Sequence, residues 1–176
     1  MGIAVVAESD PVEVAHSAGP EDSPIMLSLK ARRTEIAKKL FIDLKVPRWD
    51  APEVFVRYGP IDTVKIDKQV ANRQKSNKED WSLVANADIL IGSCQGVYAC
   101  LDGNRDVKYS LRPGDENGAW TKFDPDLARQ LGLDPDVTKA VDVVQKLYFT
   151  DGDLIDASNE VFKFSTEANE KVDADF

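Results

Sequence analysis

Three carboxylates lie close together in the C-terminal part of the sequence, and closely spaced carboxylates can hold Ca²⁺ or Mg²⁺. Asp151, Asp153 and Asp156 occur within the segment DGDLID. Counted from Asp151 as an EF-hand loop, the position that needs Gly holds Asp156, and the position that needs the distal Glu holds Phe162. We therefore predict that Asp151 and Asp153 cap the following helix and favour its positive end, and we expect neither a metal nor a cofactor.

Cysteine and histidine, which often serve catalysis, are scarce. The chain has two cysteines, Cys94 and Cys100, and one histidine, His16, which lies in a segment that we expect to be disordered. Neither a structural zinc site nor a catalytic triad is expected from this set. The cysteines could form a disulfide, but two buried, reduced thiols are the prediction, as in a reducing cytoplasm. Phosphate-binding glycine motifs do not occur either, so the sequence predicts a protein that is not an enzyme.

Acidic residues are concentrated at the two ends of the chain. The formal net charge is −9, from 22 Lys and Arg against 31 Asp and Glu. Residues 1–22 carry five acidic residues and no Lys or Arg, and residues 151–176 carry eight acidic residues and two lysines. Nucleic-acid binding is not expected, because phosphate contacts need a basic surface. A basic protein partner fits this charge distribution better.

The first residues of the sequence do not predict membrane association. The apolar run in MGIAVVAESD is too short for a signal peptide or a membrane span and has no basic flank. Val6 stands where a myristoylation signal needs Ser or Thr. We expect a cytoplasmic protein without a membrane partner.

Helix and strand signals together predict an α+β fold. Two pairs of apolar runs, 41–46 with 53–58 and 97–101 with 107–111, predict two hairpins, the first joined by the loop PRWDAP; all of the runs except 97–101 carry apolar residues at alternate positions. About six helices are expected to pack against this small antiparallel sheet of about four strands. Their starts are predicted at Ser23-Pro24, at Asp62, at a capping box of Ser76 and Glu79, at Asp124-Pro125, at Asp134-Pro135 and at about Asp153.

The predicted domain organisation has three parts. Residues 1–22 mix Gly, Pro, Ser and acidic residues without periodicity and are expected to form a disordered acidic arm. Residues 23–150 are expected to form a single α+β core domain, with Trp120 and Phe123 folding a polar loop back onto it. Residues 151–176 are expected to form a C-terminal helix and an acidic tail.

Four segments of the sequence resemble one protein family. They are VPRWDAPEVFVRYGPID (46–62), ANADILIGSCQGVYACLDG (85–103), FDPDLARQLGL (123–133) and VVQKLYF (143–149). In their order and spacing they are similar to the tail assembly chaperones of long-tailed, siphovirus-type bacteriophages, particularly those that infect actinobacteria. The resemblance covers roughly residues 40–150 and does not include the acidic arm.

The resemblance implies a non-enzymatic assembly factor that acts in the host cytoplasm. Such a factor coats the tape measure protein, recruits tail tube subunits and is absent from the finished virion. In many such systems a ribosomal frameshift gives a longer second product. The implied partners are the tape measure protein and tail tube subunits, and a second copy of the chain itself is considered as a further partner.

Two helices and one loop residue are the candidate partner-binding elements. The helix over 23–40 is predicted to be basic and amphipathic, so it could also contact the chain's own acidic tail. The C-terminal helix carries a second apolar stripe, and Trp49 lies in a Pro-flanked loop where burial is hard to ensure. The candidate residues are Met26, Leu29, Arg33, Ile36, Trp49, Leu154, Ile155 and Phe162.

Two other functions are compatible with the sequence. A structural virion component, such as a head–tail connector or a minor tail protein, also suits a compact body with arms that order on assembly. A metal-dependent hydrolase that uses Asp151, Asp153 and Asp156 is the enzymatic alternative. Retention in purified particles distinguishes a virion component from a chaperone. A titration with Ca²⁺ or Mg²⁺ tests the hydrolase alternative.

Overall fold

The structure, a computed structural model, describes residues 23–76, 78–112 and 119–174, without the side chains of residues 169 and 171–174. Within these ranges the chain forms six helices and four strands, so the predicted α+β class is confirmed. The predicted arm over 1–22 lies outside the described residues. The elements are α1 (Pro24–Lys39), β1 (Ile42–Asp50), β2 (Glu53–Tyr58), α2 (Thr63–Lys75), α3 (Trp81–Ser93), β3 (Cys94–Cys100), β4 (Tyr109–Ser110), α4 (Pro125–Gln130), α5 (Ala140–Tyr148) and α6 (Asp151–Ala174).

The chain divides into two units between Ile36 and Ala37, and this boundary falls in the last turn of α1. The boundaries predicted at 22/23 and 150/151 stay predictions. Helix α6 nevertheless places Leu154 and Val161 in the core of the second unit.

The four strands form one antiparallel sheet in the order β1-β2-β3-β4. One face of this sheet packs with α3, α5 and α6 around the main core. Complete burial of an aliphatic side chain contributes roughly 1.5–3 kcal/mol, so the burial of this core is a large stabilising contribution. The largest fully buried side chains are Tyr58, Tyr148, Leu90, Leu127, Leu147, Leu154, Val46, Val56, Val97, Val143, Val144 and Val161.

The opposite face of the sheet carries a smaller aromatic cluster of Phe55, Tyr98 and Trp120. The centres of the Tyr98 and Trp120 rings lie 4.6 Å apart. Trp120 can approach the strand this closely because residue 96 is glycine: a Cβ at Gly96 would lie only 2.7 Å from the Cβ of Trp120. The Arg57 guanidinium lies 4.9 Å from the Trp120 ring. This face is therefore covered by the chain itself, and the prediction that Trp120 folds its loop back is confirmed.

The first hairpin differs from the prediction in where its turn lies. Strand β1 continues through Trp49 to Asp50, so most of PRWDAP is strand and the turn is Ala51-Pro52. Continuation past Pro47 is possible because β1 is an edge strand, where one side of the backbone needs no ladder donor. The pairing with β2 is irregular between Lys45 and Asp50, and Arg48 has a φ of 72° there.

The second hairpin is shorter than predicted, because β4 contains only Tyr109 and Ser110. The side chain of Asn104, in the predicted turn, accepts a hydrogen bond from the backbone N–H of Asp106 at 3.1 Å, and the turn continues into the start of the segment that was predicted as a strand. Val107 is consequently exposed.

Two helix starts are confirmed by their caps. Asp62 accepts a hydrogen bond from the N–H of Lys65 at 3.1 Å, and Asp124 accepts one from the N–H of Leu127 at 2.9 Å. Pro125 occupies the first turn of α4 as predicted. These caps satisfy backbone N–H groups that the first turn of a helix leaves unpaired.

Two other helix starts were predicted wrongly. The Ser76 hydroxyl donates to the carbonyl of Arg73 at 2.6 Å, so it belongs to the end of α2, and α3 begins only at Trp81. Asp134 accepts from the N–H of Asp136 at 3.0 Å, which closes a local turn, and α5 begins at Ala140. In both cases a short polar side chain satisfied a different backbone group from the predicted one.

Helix α6 is longer than predicted and is capped by a different residue. It runs from Asp151 to Ala174, and the Thr150 hydroxyl accepts from the N–H of Asp153 at 3.2 Å. Asp151 and Asp153 therefore occupy the first turn, near the positive end of the helix, and do not supply the cap.

Candidate protein-binding surfaces

Helix α1 has no buried residue. Four of its apolar side chains are between 41% and 69% exposed. Ser23 begins the helix by accepting a hydrogen bond from the N–H of Met26 at 3.2 Å. Of the predicted residues in α1, Leu29, Arg33 and Ile36 are exposed and Met26 is half-buried. The exposed apolar residues are Ile25, Leu27, Leu29 and Ile36.

The chemistry of α1 changes along its length. Residues 24–29, with the sequence PIMLSL, contain no charge, and three adjacent apolar residues there point in directions about 100° apart. Residues 30–39 contain five basic residues and Glu35. The predicted amphipathic helix is therefore wrong in detail, because most of its apolar residues surround the first turns, whereas the charged residues follow together with Ile36. We call residues 24–39 the basic helix.

Helix α6 differs, because one side of it is buried along most of its length. The buried stripe repeats at helical spacing and includes two serines. Predicted residue Leu154 is only 1% exposed, so it belongs to the core and cannot contact a partner of the folded chain. Ile155 is half-buried and Phe162 is 43% exposed. The stripe contains Leu154, Ser158, Val161, Ser165 and Ala168.

Ser165 fixes α6 to the segment that follows β2. Its hydroxyl accepts from the N–H of Ile61 at 3.1 Å and donates to the carbonyl of Val161 at 2.8 Å. Both contacts are buried, so they hold α6 in one register against the rest of the second unit.

Trp49 lies at a corner that contains an exposed aromatic residue missed by the sequence analysis. The Trp49 Nε1 donates to the carbonyl of Leu147 at 3.0 Å, and its ring lies 5.6 Å from that of Phe149. Phe149 is 60% exposed and has a φ of 57° and a ψ of −43°. The N–H of Thr150 donates to the carbonyl of Tyr148, which makes Phe149 the centre of a γ-turn, a strained conformation for such a residue.

The strain at Phe149 has a topological cause. Only residues 149 and 150 connect α5 to α6, so the chain must reverse within them. The sequence does not predict a positive φ at residue 149, because glycine is the usual residue in that conformation and the residue here is phenylalanine.

A groove runs between β1 and α6, and we call it the edge groove. Leu44 and Pro47 form one side of it and Ala157 lies on the other. Three carboxylates on one face of α6 border it, together with Lys45. The carboxylates are those of Asp153, Asp156 and Glu160. Asp153 pairs with Arg48 at 3.1 Å, and the pKa of Asp153 is lowered by the hydrogen bond with Thr150 and by this arginine.

The tyrosines Tyr58 and Tyr148 and both cysteines are buried. Tyr58 and Tyr148 share a buried hydrogen bond of 2.7 Å between their hydroxyl oxygens, and burial raises the pKa of each. Cys94 and Cys100 are free and buried, as predicted, and burial raises the pKa of Cys94 to about 12. In the parts of the chain that the structure describes, no three His, Cys, Asp or Glu side chains are placed to hold a metal ion.

Comparisons of the chain with family models, with curated proteins and with solved structures gave no match. Within the described ranges, no helix combines the length and the apolar character needed to cross a membrane.

Proposed function

We propose that this chain is a non-enzymatic assembly chaperone of a phage tail. In this proposal it binds the tape measure protein in the host cytoplasm and promotes assembly of tail tube subunits around it. The partner follows from the resemblance of four segments to tail assembly chaperones, and the binding element is assigned from the surface of the chain.

The observation that carries the proposal is the exposure of the basic helix. Single exposed apolar residues are common on protein surfaces. Four of them on one 16-residue helix that has no buried residue form an exposed apolar surface of the kind that marks interaction sites. Helices with exposed apolar side chains are a common means of recognising other helical chains. A tape measure protein is a long helical polypeptide, so the chemistries match.

All four segments that resemble the family lie in the second unit, and they form much of its core. Val46, Val56, Val97 and Leu147 all belong to these segments and are fully buried. The resemblance of these segments therefore concerns the folded core, and it covers roughly residues 40–150. Helix α1 precedes this region, and we assign partner binding to α1.

Co-expression with the tape measure protein of the same phage tests the proposal. We expect the partner to become soluble and to co-purify with the chain. The double variant Ile25→Ser, Leu29→Ser removes two exposed apolar side chains and should abolish co-purification. Val64→Ser, on α2, is the matched control, because Val64 is 62% exposed and should be dispensable.

Failure of the wild-type chain to solubilise or retain the tape measure protein would contradict the proposal. If Val64→Ser reduced co-purification as much as the double variant does, the assignment of the binding surface to α1 would be wrong. The protein content of purified particles separates the structural alternative, since a chaperone is absent there and a connector or minor tail protein is present in fixed stoichiometry.

A further inference from the structure

Strand β1 is the long free edge of the sheet. It has nine residues, and in the described part of the chain it pairs with β2 and with no other strand. Its register with β2 is regular from Ile42 to Lys45 and becomes irregular only beyond Lys45. Natural edges are usually protected by proline, bulges or charge. Here Pro47 and the positive φ of Arg48 interrupt only the second half of β1, and the two charged residues of the first half, Asp43 and Lys45, are already paired with Arg57 and Asp50. Residues 42–46 remain able to pair with another strand.

The edge groove lies beside this open half of β1. Leu44 and Pro47 come from the strand itself, and Ala157 comes from α6. An added strand would therefore place alternate side chains toward α6 while its backbone pairs with residues 42–46.

The charge at the groove selects the class of segment that can bind. Asp156 and Glu160 are exposed, and no ion pair joins either of them to another described residue. Lys45 is already paired with Asp50 at 2.6 Å, so the cation at this border is compensated. Two carboxylates are left to meet cations of a partner.

We propose that the edge groove binds an extended segment of a partner protein in which lysine or arginine alternates with apolar residues. The segment adds as a strand beside residues 42–46, and its main-chain groups complete the hydrogen bonds of β1. Its basic side chains reach Asp156 and Glu160, and its remaining side chains face away from α6. This site is separate from the basic helix and does not depend on the function proposed above.

A helix is the less suitable occupant, because its own backbone hydrogen bonds are satisfied internally and cannot complete a strand edge. A second copy of the chain, binding through its basic helix, would also bring cations to the groove. Both alternatives bind without using the backbone of residues 42–46, and this difference makes them distinguishable.

The probe is a fluorescein-labelled peptide of eight residues in which lysine and valine alternate. Its partner probe has the same residues with alternate backbone nitrogens methylated, which keeps the charge and removes hydrogen-bond donors. We expect the first peptide to bind the full chain at low salt, measured by fluorescence anisotropy, and the methylated one to bind at least about tenfold more weakly.

Charge variants test the assignment to α6. Asp156→Lys with Glu160→Lys should weaken the peptide about three- to tenfold, since each exposed pair contributes modestly. Asp67→Lys with Glu79→Lys changes the net charge equally at two other exposed positions and should leave affinity almost unchanged. Asp156→Asn with Glu160→Gln serves if the lysine variant does not fold.

Hydrogen exchange on the wild-type chain gives a readout without any substitution. Bound peptide should slow exchange of amides within residues 42–46. Three results would each overturn the proposal: no binding of the lysine–valine peptide, equal affinity of the methylated peptide, or equal weakening by both pairs of lysine substitutions.

Discussion

Helices α1 and α6 are similar in sequence character but differ in burial. Both carry several apolar residues and dense charge, basic in α1 and acidic in α6. Helix α6 buries a stripe from Leu154 to Ala168, whereas α1 buries nothing. Apolar content alone therefore does not place a helix in the core, and the helix that stays uncovered is the candidate for binding.

The largest expected effect separates the two helices by one substitution in each. Leu154→Ala should lower the free energy of unfolding by about 2–5 kcal/mol, because it opens a cavity beneath a fully buried side chain. Leu29→Ala, at a residue that is 57% exposed, should change it by less than about 0.5 kcal/mol. Urea unfolding of both variants measures the difference. Similar losses would mean that α1 is covered in solution.

A smaller effect is expected for the serine that fixes α6. Ser165→Ala leaves the N–H of Ile61 without its partner, at a cost of about 1–3 kcal/mol. Ser28→Ala in α1 is the control, because Ser28 is exposed and alanine is the better helix former, so a gain of a few tenths of a kcal/mol is expected. Thermal unfolding of the pair tests whether α6 depends on this contact. An unchanged melting temperature for Ser165→Ala would contradict it.

The smallest effect concerns the first turn of α6. The pKa of Asp153 is lowered by the hydrogen bond with Thr150 and by Arg48, so its stabilising contribution is present above the pKa of an unfolded aspartate, about 3.9, and is lost as pH falls below it. Asp153→Asn should remove this part of the acid dependence and lower stability slightly at neutral pH. Unfolding curves between pH 3 and 7 measure it. Parallel pH profiles for wild type and variant would argue against the contact.

Some local features could be predicted from the sequence because a single interaction determines them. Asp62 and Asp124 cap helices since each lies three residues before an N–H that needs an acceptor. Ser76 and Asp134 show the same chemistry satisfied elsewhere, by the end of the preceding helix and by a local turn. Residue type thus predicts that a short polar side chain bonds to the backbone nearby, but does not predict which group it chooses.

The candidate surfaces were less predictable, because they depend on what covers each element. Leu154 and Phe162 look equivalent in sequence, yet the buried stripe of α6 passes through Ser158 and Ser165, which an apolar pattern leaves out. Phe149 is exposed because of the length of a connection, which periodicity does not encode. The extent of α1 was predicted to within one residue, while its lack of burial was not.

Hydrogen exchange of the basic helix, measured on the chain alone and in complex with the tape measure protein, tests the central claim most directly. Backbone amides of residues 24–39 should exchange rapidly in the free chain and slow at least about tenfold in the complex, because binding covers the helix. Amides at the buried centre of α6 should be slow in both states. Equal exchange of the basic helix with and without the partner, in a complex that demonstrably forms, would contradict the account.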